Sequence, residues 1–305
     1  MIGVGVACAP SGPSDAPENG TSVRIPVTAL TLDELRSATY EGIFDYPATL
    51  IDGRYEGEPF VEGGVSAPAA GLMEDFLLTG DLDGDGREEA VVLLWENSGG
   101  SGTRDYLAAM GRGDGGIENL GTILIGDRVQ VRSASLVGDA IELELVEAGP
   151  EDAACCPTQK TTRTWGLGPE GLTMIASEVT GTLSLADLQG PEWVLRELGM
   201  NEPVPEGVEI TFMFDGDKVT GSGGCNRYFG AVTGDVPGEV AFGPMGSTQM
   251  ACPDPAGALE HRYLTTLGNT TRYQFLAGNL VLTGTTGEQT MTLIFTPREP
   301  GMSGS

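Results

Sequence analysis

Gly221-Ser222-Gly223-Gly224-Cys225-Asn226-Arg227-Tyr228-Phe229-Gly230 is the stretch on which the reading of this chain turns. Glycine lacks a Cβ and so admits positive φ and close strand approach, which makes this segment a bulged or sharply bent strand. Upstream, Val208-Glu209-Ile210-Thr211-Phe212 has a strand pattern, and Asp215-Gly216 is a tight hairpin turn. Downstream, residues 255–267 form the one clear helix of this half. Its Leu259, Tyr263, Leu264 and Leu267 share one face, and Gly268-Asn269 stops it. Strands over 273–275, 279–282 and 291–295 close the unit, which opens near Leu183 and runs through Trp193-Val194-Leu195.

The first half reads as strands too. Ala90-Val91-Val92-Leu93-Leu94-Trp95 is a continuous apolar run suited to a buried strand. Ile141-Glu142-Leu143-Glu144-Leu145 alternates cleanly, the pattern of a half-buried strand, and residues 127–131 alternate as well. Residues 161–167 pair nearby. A short helix covers 31–36, where Thr31 and Glu34 hold capping-box spacing. The expected fold class is α+β, mostly β, in two domains: 28–180, and 185–298 as a compact antiparallel β unit with one packed helix. Residues 299–305 read as a flexible tail.

Composition agrees. The chain has 305 residues, 47 of them glycine and 19 proline, which favours short strands and tight turns over long helices. Sixteen Lys and Arg against 44 Asp and Glu give a net charge of −28. Such a surface repels phosphate, so nucleic-acid binding, which needs the opposite field, is excluded. A polybasic grip on anionic lipid is excluded for the same reason. No apolar stretch reaches the ~20 residues of a spanning helix. A single histidine, His261, sits between Glu260 and Arg262 with no Ser or Cys motif beside it, which removes most general-base and metal-hydrolase chemistry.

Met1-Ile2-Gly3-Val4-Gly5-Val6-Ala7 ends in a small residue before Cys8 and is followed by a polar tract. This resembles the end of a bacterial lipoprotein signal, in which the cysteine becomes the lipidated first residue of the mature chain. Residues 1–27 are then a truncated signal and flexible tether, and a lipid on Cys8 is the only expected membrane attachment; the other reading is an unprocessed, disordered N-terminus. Five cysteines divide as Cys8 alone, Cys155 beside Cys156, and Cys225 with Cys252. Setting Cys8 aside leaves an even number, as an oxidising compartment prefers. A Cys225–Cys252 bridge closes a loop of about 28 residues and contributes roughly 3–4 kcal/mol on the chain-entropy model. Cys155-Cys156 either forms a vicinal disulfide or stays reduced.

The glycine-rich run of residues 221–230 resembles the signature of the META domain, the family that includes the HslJ heat-shock lipoproteins. Other features follow in the family's order: Trp193-Val194-Leu195, then Thr248-Gln249-Met250-Ala251-Cys252, then the helix with Glu260 and Tyr263. Gln249 stands where the family often has Arg. The resemblance covers residues 185–298 and implies a compact β domain with one helix in the bacterial envelope, associated with stress resistance and without an established reaction. Asn226 and Arg227 either present polar groups to a ligand or partner, or tie the loop down. The first half is similar, more weakly, to other envelope lipoproteins through Asp81-Leu82-Asp83-Gly84-Asp85-Gly86 and Gly99-Gly100-Ser101-Gly102.

Asp81, Asp83 and Asp85, then Glu89, form the best candidate metal site. Carboxylates at positions 1, 3 and 5 converge on a hard cation, and glycine at position 6 allows the turn. Position 12 is Val92, so this is no EF-hand; acidic Glu89 at position 9 instead matches short calcium loops of repeat-containing surface proteins. A structural Ca²⁺ is the one candidate cofactor, and a solvated Asp-Gly turn is the alternative. Glu142 and Glu144 share a strand face and are better explained by solvation than as a glycosidase pair. The expected function is a non-enzymatic bacterial envelope lipoprotein in stress resistance or surface binding, with an envelope protein as partner. The alternatives are a module that inhibits an extracytoplasmic enzyme and, with less support, a calcium-dependent hydrolase.

Overall fold

The structure, a computed structural model, describes Met1 and residues 29–298 apart from 101, 114, 154, 200 and 288. Cys8, the rest of the 1–27 segment beyond Met1, and the 299–305 tail lie outside the described residues. A short helix α1 (Leu32–Leu35) opens it, with Thr31 and Glu34 forming a capping box. Arg112 reaches both oxygens of Glu34, at 2.8 and 2.9 Å, and pins this helix to the strand behind it.

Among the described residues, twenty strands follow. A small pair, β1 (Thr39–Tyr40) and β2 (Ala48–Thr49), precedes β3 (Arg54–Glu56), β4 (Ala69–Gly80), β5 (Glu89–Asn97), β6 (Arg104–Gly113) and β7 (Gly116–Asp127). These last five make an antiparallel sheet in chain order. Strands β8 (Gln130–Val137), β9 (Ala140–Glu147), β10 (Gln159–Gly168) and β11 (Gly171–Thr182) make a four-stranded sheet. The apolar run of β5 is buried on both faces. Ala90, Val92 and Leu94 pack beneath the α1–β2 segment with Leu35, Tyr40 and Leu50, while Val91 and Leu93 face Val131, Ile141, Leu143 and Trp165 of the second sheet. That double burial is why the strand reads as continuous rather than alternating.

The expected strand over 127–131 is instead a corner. Asp127 ends β7, Gln130 begins β8, and Arg128 turns the chain with φ 54°. Its amide donates to Thr103 at 2.8 Å, so the turn's backbone is satisfied without a ladder partner.

After a 3₁₀ turn (Leu185–Leu188), the C-terminal unit comprises β12 (Glu192–Leu198), β13 (Thr211–Asp215), β14 (Lys218–Ser222), β15 (Arg227–Thr233), β16 (Ala241–Phe242), β17 (Gly246–Ser247), α2 (Ala256–Gly268), β18 (Thr270–Leu276), β19 (Asn279–Thr286) and β20 (Gln289–Arg298). They form one nine-stranded antiparallel sheet ordered β16-β15-β14-β13-β12-β20-β19-β18, with β17 paired to β15. The sheet curls until its ends meet: Glu239 bridges Arg272, and Val240 N–H donates to Thr271 at 3.1 Å. Closure in this way leaves few unpaired edges. Helix α2 lays Tyr263 and Leu267 into the core among Phe212, Leu293 and Phe295, with Leu259 and Leu264 at its margin. The protein is thus mostly β, with a compact antiparallel unit and one packed helix at its C-terminal end.

The β18–β19 hairpin joins the two halves. Its two-residue turn, Ala277-Gly278, has φ of 48° and 84°, the both-positive geometry that suits right-twisted hairpins. Gly278 N–H donates to Val131 at 2.9 Å and Phe275 N–H to Gln130 Oε1 at 2.9 Å. The hairpin tip thereby covers β8, the edge of the four-stranded sheet. Asp75 accepts Arg196 at 2.6 Å and Asn279 at 3.3 Å, and Asp187 receives Lys160 at 2.8 Å and Arg132 at 3.2 Å.

Candidate functional site

The glycine-rich run folds as a strand end turned sharply against α2. Cys225 and Cys252 are disulfide-bonded with Cα atoms 6.0 Å apart. Glu260, on α2, accepts the amides of Cys225 at 3.3 Å and Asn226 at 2.6 Å, and its other oxygen accepts Asn226 Nδ2 at 2.9 Å. Asn226 Oδ1 accepts Thr248 Oγ1 and Met250 N, both at 2.8 Å. Every group of Asn226 is therefore turned inward, and the side chain is 5% exposed. Of the two roles the sequence left open for Asn226, the geometry places it as the tie that holds this loop. Arg227, the next residue, does reach solvent. A Cβ at Gly223 would approach Glu260 Cγ to 2.7 Å, so the close approach of helix and loop requires glycine there. Beneath, Tyr263 and Tyr228 share a buried hydroxyl pair at 2.6 Å, and Tyr228 donates onward to Thr211 at 2.9 Å. Burial pushes both phenols well above their ordinary range.

In the acidic loop, Asp81, Asp83 and Glu89 bring one carboxylate oxygen each to within 4.8 Å of the others. Asp85 does not join them: it accepts the Arg87 amide at 2.7 Å and pairs with the Arg87 guanidinium at 3.6 Å. Asp81 accepts the amides of Gly84 at 2.8 Å and Gly86 at 3.1 Å, and the loop winds around it. Glu89 is buried and accepts Leu82 N–H at 2.8 Å. Burial, with Asp83, Asp85 and Asp81 alongside, pushes its carboxyl above the ordinary value against the pull of that amide. Three convergent carboxylates, one of them buried, are suited to holding a single hard cation.

Cys155 and Cys156 are joined as a vicinal disulfide, and this loop forms one wall of a cleft of about 560 Å³. Strand β4 contributes the opposite rim through a wide bulge. Leu72 pairs with Leu94 and Leu77 with Val92, so residues 73–76 face the single residue Leu93. Trp95 and Asp105 lie on the floor and belong to a cross-strand row in which Arg54, Gly71, Trp95, Asp105 and Gly126 lie opposite one another from β3 to β7. The indole of Trp95 lies across Gly71, where a Cβ would come within 2.6 Å of the ring, and the Arg54 guanidinium sits 5.5 Å from its centroid. Asp105 accepts Val129 N–H at 2.8 Å. Burial, with Asp127 adding like charge, pushes its carboxyl up to about 7. Phe275 and Leu276 of the β18–β19 hairpin close the cleft from the C-terminal side.

Of the four acidic residues singled out in the sequence, the structure brings Asp81, Asp83 and Glu89 together and leaves Asp85 apart; Glu260, Trp95 and Asp105 are not singled out by the sequence. In the sequence Glu260 is only one residue of the helix; the signal that points to it is the glycine run, whose freed amides require an acceptor. The one hint to Asp105 was a carboxylate opening the apolar run Tyr106-Leu107-Ala108-Ala109-Met110. His261 is exposed, and Glu144 pairs with Arg132 at 3.4 Å on the outer face of β9.

The closed sheet with one inserted helix, stapled beside its glycine-rich loop, coincides with a family match. Residues 186–299 match the family model of the META domain, and the chain carries a META domain in that part. A solved structure from Burkholderia xenovorans, described as an NMR structure of the protein, is 30% identical. It covers 38% of this chain and 87% of its own, with a TM-score of 0.32. A second NMR structure is 23% identical over 36% of this chain and 93% of its own, with a TM-score of 0.30. No curated protein matches the chain.

Proposed function

We propose that the protein is a non-enzymatic component of the bacterial envelope, anchored by a lipid on Cys8, that works by binding at the cell surface and serves envelope stress resistance. The observation that carries the reading is the Cys225–Cys252 staple with the Asn226–Glu260 tie beside it. Its hydrogen-bonding groups are spent on holding the fold, and covalent sulfur links belong to oxidising compartments. A charge of −28 suits solubility and cation attraction outside the cytosol. A structural Ca²⁺ held by Asp81, Asp83 and Glu89 is part of the same proposal, since a cation there relieves the repulsion around buried Glu89.

The alternative, a module that binds and inhibits an extracytoplasmic enzyme, is favoured by one surface. Met213, Thr220, Phe229 and Gly246 form a cross-strand row on the outer face of the META sheet, and Phe229 is 64% exposed next to Arg227. Expression from the natural gene with an alkyne-bearing fatty acid tests the main reading. Label on the parent, lost in Cys8→Ser, with the protein in the envelope fraction supports it. An unlabelled parent recovered from the cytosol contradicts it.

A further inference from the structure

The cleft floored by Trp95 and Asp105 belongs to neither the META loop nor the acidic loop. We propose that it is a binding site for a protonated amine carried on a small apolar or aromatic body, with Asp105 as the counter-ion.

Three features of the geometry carry this. Asp105 is 4% exposed and lines the cleft, yet among the described residues its hydrogen-bond partner is the Val129 amide alone and no lysine or arginine pairs with it. The other two carboxylates at the rim are already matched: Glu74 by Arg36 at 3.0 Å and Asp75 by Arg196 at 2.6 Å. A buried carboxyl is costly unless a cation or further donors reach it, and the open side of Asp105 is the cleft. Second, the walls are apolar and aromatic, from Leu72, Trp95, Val129, Pro157, Phe275 and Leu276. Indole is the best of the aromatic faces for a cation, and Trp95 already draws the Arg54 guanidinium to 5.5 Å. Third, the cleft's volume of about 560 Å³ falls within the range for small organic ligands, and it lies where two packed units meet, the common place for such sites.

The sign of the charge discriminates among ligands. Arg128 also lines the cleft but pairs with Asp127 at 3.5 Å, so a carboxylate or phosphate entering here meets the unmatched Asp105 inside a molecule of net charge −28. A neutral ligand gains the walls but leaves Asp105 without a counter-ion. An amine with an aromatic body satisfies both. The β4 bulge and the β18–β19 tip set the cleft's width, so its two sides come from residues some 200 positions apart in the chain.

The test uses phenethylamine, with 2-phenylethanol and 3-phenylpropionate as uncharged and anionic controls of similar shape. The protein is ¹⁵N-labelled, and the indole N–H signals of its three tryptophans are followed. Trp165 and Trp193 are 1% and 4% exposed and serve as internal references; Trp95→Phe assigns the third signal. The expected result is a saturable shift of the Trp95 signal with the amine and binding about tenfold or more weaker with the alcohol, as loss of a charge-assisted bond implies. The acid gives no shift. Asp105→Asn, which keeps an acceptor for Val129, loses the preference for amine over alcohol. The proposal is overturned if the amine gives no saturable shift at Trp95, if the alcohol binds as well as the amine, or if Asp105→Asn keeps the preference. The comparison on the parent protein stands by itself should the variant not fold.

Discussion

Replacing Asp105 by asparagine should stabilise the protein, and by an amount set by pH. The carboxyl is buried against the inner face of the first sheet, with one amide donor and a like charge at Asp127, and its value rises from 3.8 to about 7. Below the unfolded value it is neutral in both states and costs nothing electrostatically. Between 3.8 and about 7 the unfolded chain ionises while the folded one holds its proton, so stability falls as pH rises. Above about 7 the whole penalty is present. At 1.36 kcal/mol per pH unit the displacement amounts to about 4 kcal/mol, an upper figure because water reaches the cleft. Asparagine removes the ionisation and keeps the Val129 bond through Oδ1. Urea unfolding of parent and Asp105→Asn at pH 4, 6 and 8 should give nearly equal midpoints at pH 4 and a growing advantage for the variant, reaching a few kcal/mol at pH 8. Groups remote from position 105 contribute equally to both proteins and cancel in the difference. A variant that is less stable at pH 8, or whose effect does not change with pH, refutes the reasoning.

Glu260→Ala leaves the amides of Cys225 and Asn226 and the Asn226 side chain without their acceptor; it should cost about 3 kcal/mol in chemical unfolding. Glu260→Gln, which retains one oxygen acceptor, should recover part of that loss. Gly71→Ala would place a methyl within 2.6 Å of the Trp95 ring, costing about 1–3 kcal/mol and shifting the Trp95 fluorescence. Calcium titration should raise the melting temperature and Asp83→Ala should abolish the rise, while Asp85→Ala, outside the convergent group, should leave most of it. No rise in the parent protein ends the calcium proposal.

Much of the fold was legible because it rests on local signals. The alternation at Ile141–Leu145, the double-buried run before Trp95 and the apolar face of α2 are each written in the spacing of side chains. The corner at Arg128 was not, since arginine is no usual occupant of positive φ and the alternation continues across it. The proximity of Asp81, Asp83 and Glu89 was legible because they are near neighbours in the chain; Asp85 stands apart because Arg87, two residues on, draws its carboxylate away. The cleft escaped altogether. Trp95 and Asp105 become neighbours only through the β5–β6 register, and the hairpin that covers them arrives far later in the chain. Such a site depends on tertiary pairing, for which neither composition nor period carries a signal.

The proposed role, a covalently stapled binding scaffold of an oxidising compartment, is put to the test by peptide mapping by mass spectrometry without reductant, on protein alkylated as cells are opened. It predicts Cys225 linked to Cys252, with no unlinked form of either peptide. Recovery of both cysteines alkylated, in a protein that is folded and as stable as before reductant is added, would contradict it.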